Sequence, residues 1–169
     1  MFEDSSISIS FLISSLVIGI GATAFMDLWA FILKTFFNIS GLNYAMVGRW
    51  IGHIASGKIT HESIGKSPEI SGELAIGWTA HYIIGILFAA ILLSITGLNW
   101  ATSPSLLPAV SMGLITVGFP FLFMQPCFGM GFAASKLPNA HIMQIKSLSA
   151  HLSFGVGLYI AALLGSIII

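Results

Sequence analysis

Four stretches of this chain run for more than about 20 residues with almost no charge, and that length decides what the chain can fold into. A helix of about 20 apolar residues covers the roughly 30 Å of hydrocarbon in a bilayer. The expected spans are Ile9 to Leu33, Leu74 to Ile95, Leu106 to Phe128 and Leu148 to Ile169. A lone spanning segment has to satisfy its own backbone groups, so each must be a helix. The expected fold is therefore all-α: one integral membrane four-helix bundle of two helical hairpins, joined by loops at 34–73 and 129–147.

Composition removes the rival classes. Only 7% of the residues are charged, against about 25% in a soluble domain, so lipid has to be the solvent for much of the surface. Six basic and six acidic residues cancel, and they leave no basic patch fit for nucleic acid. Cys127 is the single cysteine, which excludes an intramolecular disulfide framework and a cysteine-built metal site.

Orientation follows from the cations. Lys34, Arg49, Lys58 and Lys66 fall between the first and second spans, and Lys136 and Lys146 between the third and fourth. The positive-inside rule places both long loops in the cytoplasm and both termini outside. Ala22-Thr23-Ala24 has the small residues of a signal cleavage site, but Glu3 and Asp4 precede it where a signal sequence is basic, so the first span is expected to stay.

A shift of 70 residues places Lys66, Pro68, Ala80, His81 and Gly85 on Lys136, Pro138, Ala150, His151 and Gly155. Both halves would enter the membrane in the same direction, which is a parallel repeat about an axis along the membrane normal.

Ionisable groups within a span cost about 2.5–3.5 kcal/mol each on insertion scales, so they face a partner or a cavity. At 1.5 Å per residue, Asp27 lies about 9 Å, His81 about 10 Å and His151 about 5 Å from the cytoplasmic edge, with Gln125 at similar depth. Helical spacing sets them among small residues: Gly19, Thr23 and Asp27 in one stripe, Gly77, His81 and Gly85 in a second, Ser147, His151 and Gly155 in a third. The expectation is a pocket open to the cytoplasm and formed by Asp27, His81, Gln125 and His151. The plainer alternative is that these groups only hydrogen-bond across helices and fix the packing, at about 0.6 kcal/mol per bond.

Between the first two spans, Leu42, Met46, Trp50 and Ile54 recur four residues apart, the pattern of a short helix at the membrane surface. Arg49 and His53 share its neighbouring face, with Arg49 placed to meet Asp27, Glu73 or lipid headgroups. Pro120 and Pro126 are expected to kink the third span. Familiar sites fail on spacing. After His61-Glu62 a zincin helix needs a second histidine where Gly65 stands, and before Gly65-Lys66-Ser67 a phosphate loop needs glycine where Thr60 stands.

Several motifs recur together: Met26-Asp27-x-Trp29, Val47-Gly48-Arg49-Trp50-x-Gly52-His53, Gly72-Glu73, Gly77-Trp78 with His81-Tyr82, Met124-Gln125-Pro126, and His151 with Phe154-Gly155. As a set they resemble a bacterial inner-membrane family catalogued as domain of unknown function 2938. The resemblance implies a four-helix membrane protein and places Asp27, Arg49, His53, Glu73, His81, Gln125 and His151 in the family pattern. It implies no activity.

The functional expectation is a proton- or metal-linked permease component rather than an enzyme, in contact with the lipid bilayer and oligomeric if it conducts. The alternatives are a redox subunit or enzyme holding a metal or haem on His81 and His151, and a structural accessory subunit.

Overall fold

The computed structural model describes the backbone of residues 2–168 and the side chains of residues 7–166. The described residues form helices and no strands: α1 Phe2–Phe37, α2 Tyr44–Ala55, α3 Glu73–Thr96, the single turn α4 Asn99–Thr102, α5 Leu106–Thr116, α6 Gln125–Cys127 and α7 Ala140–Ile168. Four helical stretches are long and apolar enough to cross a membrane: 7–37, 73–96, 106–127 and 140–166. Large apolar side chains such as Leu107, Ile115 and Phe36 point outward, as a lipid-solvated surface requires.

Glycine sets the helix contacts, because without a large side chain two backbones can meet. On α3, Gly85 meets Thr23 and Gly19 of α1; on α7, Gly155 meets Gly113 of α5 and Gly157 meets Ala22 of α1. Helix α1 packs on both α3 and α7, α7 also packs on α5, and α3 and α5 touch only sparsely. The apolar core between them holds Ile18, Ala22, Leu92, Leu93, Met112, Phe154 and Leu158.

Helix α7 starts at Ala140, well ahead of the expected Leu148, while Ile169 lies outside the described residues. Pro138 stops any earlier helix, and the Asn139 carbonyl accepts from the Ile142 and Met143 N–H groups to open the first turn. Lys146 and Ser147, expected in a loop, are therefore helical. Helix α1 likewise passes Leu33 and reaches Phe37, where Asn38 takes a left-handed φ of 55°.

The third stretch is not one α-helix. After α5 the backbone widens into a π-helical segment, Pro120–Met124, in which the Gln125 N–H bonds the Pro120 carbonyl. Pro126 has no N–H to give, and its ring crowds the carbonyl four residues earlier; the wider turn takes up that conflict.

Helix α2 docks on the start of α3. Gly48 lies against the Glu73 carbonyl, and Gly77 against the Tyr44 carbonyl. Asn43 caps α2 with a 3.0 Å side-chain bond to the Ala45 N–H. The first inter-helix loop is tied to the end of the third stretch: the His61 N–H bonds the Cys127 carbonyl at 2.9 Å, and the Ile64 N–H bonds the Phe128 carbonyl at 3.1 Å. Ile64, Phe128, Val47 and Met124 form a second, smaller core under that junction.

Candidate functional site

The stripe on α1 leads directly to Asp27. Thr23 is fully buried against Gly85 and bonds back to the Gly19 carbonyl at 2.8 Å, so α1 and α3 approach closely one turn above the acid. On the next turn Asp27 Oδ1 meets His81 Nε2 at 3.0 Å, and Asp27 Oδ2 accepts from the Tyr82 hydroxyl at 3.0 Å. Tyr44, at the start of α2, brings its hydroxyl 2.9 Å from His81 Nε2 and 3.4 Å from Asp27 Oδ1. Three elements thus converge on one carboxylate.

Rings enclose the cluster. Tyr44 packs on Trp78 and His81 at centroid distances of 4.4 and 4.5 Å, and Tyr82 lies edge-on to His81 at 5.6 Å. Burial, then the charge of Asp27, raises the Tyr44 pKa far above its ordinary value, so Tyr44 remains a proton donor. Asp27 and His81 stand where a proton transferred between them converts an ion pair into a neutral acid and a neutral imidazole.

His81 also faces a cavity of about 210 Å³. Its walls are mostly apolar and come from α1, α2, α3, the π-helical segment and α7; its polar side chains include Gln125, Lys146, Ser147 and His151. The widened turn of the third stretch presents Pro120, Met124 and Gln125 to this space. Gln125 is only 3% exposed, yet among the described residues its side chain has one bond, a 3.3 Å contact from Nε2 to Ser147 Oγ, and its Oε1 has no partner. His151 Nδ1 lies 2.9 Å from Thr116 Oγ1. The Thr116 hydroxyl also lies 2.8 Å from the Gly113 carbonyl; with its proton given to that carbonyl, Nδ1 donates to Thr116 and Nε2 keeps a lone pair. Lys146 Nζ bonds the Ser40 carbonyl at 3.2 Å on the exposed side of the cavity.

Of the residues singled out from sequence, His81, Gln125 and His151 line the cavity, and Asp27 stands behind His81. Arg49, Glu73 and His53 are not among its lining residues. Arg49 does not meet Asp27: it is 6% exposed and grips Glu73 through Nε at 2.8 Å and Nη2 at 2.7 Å. Its Nη1 bonds the Ser67 and Ile64 carbonyls at 3.0 and 3.3 Å, so this one side chain ties α2, α3 and the loop between them. The hydrogen bonds to Glu73 raise its pKa further above the ordinary arginine value. His53 Nδ1 meets His61 Nε2 at 2.8 Å with the rings stacked, and burial pushes the His61 pKa down.

Tyr44, Tyr82, Thr116, Ser147 and Lys146 join the site without having been singled out as candidates. Tyr82 adjoins His81, and Tyr44 opens the stripe of Val47 and Ile51; an aromatic hydroxyl beside an intramembrane acid was the available signal. Among the described residues no three His, Cys, Asp or Glu side chains gather to hold a metal ion. His81 Nε2 is already shared by Asp27 and Tyr44.

Residues 16–165 match the family described as Protein of unknown function, DUF2938. The chain belongs to that family. The match spans α3, α5 and α6 whole and most of α1 and α7, so the DUF2938 unit contains both the aromatic-enclosed acid and the cavity. No curated protein and no solved structure matches the chain.

Proposed function

We propose that this DUF2938 protein is a proton-linked binding protein of the bacterial inner membrane, a permease component whose cavity opens to the cytoplasm and whose termini are periplasmic. The observation that carries the reading is the double placement of His81. One side of the residue is bound to a carboxylate and two tyrosines enclose the pair; another side is part of the cavity wall. A change of cavity occupancy changes the solvation of His81, and the proton it shares with Asp27 responds.

The other residues serve this arrangement. Gln125 and His151 contact the bound molecule. Arg49 and Glu73 clamp α2 so that Tyr44 stays on the pair, and His53 with His61 closes the loop beneath. The six cations, all at or beyond the same ends of the four spans, support the orientation. The repeat of His81-Gly85 in His151-Gly155 supports a duplicated hairpin, since Gly85 and Gly155 each meet the preceding long helix. Conduction through so narrow a bundle requires an oligomer. The proton-linked form is preferred to a haem or metal subunit because two groups already occupy Nε2 of His81.

The proton is the probe for the test. Purified protein is reconstituted into vesicles loaded with a pH-sensitive dye and energised by a potassium diffusion potential. Wild type is expected to acidify the lumen faster than protein-free vesicles, and Asp27→Asn and His81→Gln to lose that rate. Wild-type vesicles as tight as protein-free ones would overturn the proton-linked reading.

A further inference from the structure

We infer that the cavity binds a neutral, hydroxyl-bearing ring compound of one or two fused rings, held by Gln125 and His151. The inference rests on the proposed cavity and names the chemistry of what fills it.

Size comes first. An engineered apolar cavity of about 150 Å³ holds benzene. A space of about 210 Å³ therefore accepts one ring with substituents or two fused rings. Phe88, Phe119, Phe128 and Phe154 with Met124 supply faces and sulfur for a flat apolar body. A sugar or a peptide would lose its hydration against such walls with too few partners in return.

The polar groups then select the substituent. Gln125 Oε1 is a buried acceptor without a donor, and leaving such a group unmet costs about 1–3 kcal/mol. His151 is on the same wall, and in the tautomer whose Nδ1 donates to Thr116 its Nε2 is a second acceptor. Both atoms call for a donor. An ammonium would donate, but among the described residues no carboxylate lines the cavity to offset its charge: Asp27 is turned to His81, Tyr44 and Tyr82, and the one charged lining residue among them is the cation Lys146. A hydroxyl donates without carrying charge. It also accepts, and so still pairs with His151 when the imidazole holds a proton. A ring bearing only a ketone or an ether offers no proton to Gln125.

The test uses 2-naphthol and 2-methoxynaphthalene, which share a ring system and differ in the donor. Binding to the full chain in lipid nanodiscs is read as saturable quenching of tryptophan fluorescence, with empty discs giving the partition background. Wild type is expected to bind 2-naphthol saturably and at least about tenfold more tightly than the ether, as a site built around a hydrogen bond does. Gln125→Leu should abolish that preference, so that both probes bind alike, while its far-UV spectrum and melting profile show a folded protein. His151→Phe provides a second variant expected to narrow the preference. Equal affinities in wild type, or no saturation above empty discs, would overturn the inference and leave water as the occupant. Proton flux into vesicles is a separate readout, so an absent naphthol site and an absent proton link are distinguishable.

Discussion

Replacing Gly77 by alanine tests how the site is assembled. A methyl group at this position runs into the Tyr44 carbonyl oxygen and carbon and closes on the Gly48 N–H. These are backbone atoms, so no rotamer change relieves the contact, and α2 has to move off α3. Overpacking of this kind costs about 1–3 kcal/mol. Moving α2 also withdraws Tyr44 from His81, a bond of 2.9 Å and about 0.5–1.5 kcal/mol. Alanine regains about 1 kcal/mol over glycine in helix propensity. The net loss is about 0.5–3.5 kcal/mol, which for a chain of this length lowers the melting temperature by on the order of 5 °C. Gly165→Ala is the matched control, because a Cβ there meets nothing among the described residues within 4 Å and only the propensity gain remains. Thermal unfolding in mild detergent, followed by circular dichroism, should therefore move in opposite directions for the two variants. A Gly77→Ala protein melting at or above wild type would refute the reasoning, since α2 would then not be seated through this contact.

Other outcomes follow from the same contacts. The folded pKa of His61 lies below its ordinary value, so the unfolded chain binds a proton that the folded chain refuses; stability should fall as pH drops from about 6.5 toward that lower value, and His61→Gln should flatten this slope in acid melts. Arg49→Lys keeps the charge but loses the paired bonds to Glu73 and reaches fewer loop carbonyls, so hydrogen exchange and limited proteolysis should quicken at residues 59–72; unchanged protection there would remove Arg49 as the tie. Trp29→Phe deletes one 2.9 Å bond to Ser149 between α1 and α7 and should cost only about 0.6 kcal/mol, measured by equilibrium unfolding, with a loss several times larger arguing for a packing role instead.

Much of this could be read before any contact was seen, and the residues show why. The apolar stretches had to be helices because a backbone in hydrocarbon has no other donor or acceptor. Helical period then set Thr23 with Asp27, Gly77 with His81 and Gly85, and Ser147 with His151 on single faces, and those faces do pack inward. The two prolines marked the third stretch as irregular, and it widens where Pro126 requires it.

Partnership was another matter. Periodicity fixes which residues share a face within one helix, but pairing depends on the rotation and depth of one helix against another. Those are set by where glycines let backbones meet, and by docking of α2, whose first residue brings Tyr44 to an acid 17 positions earlier in the chain. For that reason the sequence could group Asp27, His81, Gln125 and His151 by depth. Only the tertiary structure decided that Asp27 binds His81, that Arg49 belongs to Glu73 and not to the acid, and that Gln125 lines an apolar cavity with its buried Oε1 unpartnered among the described residues.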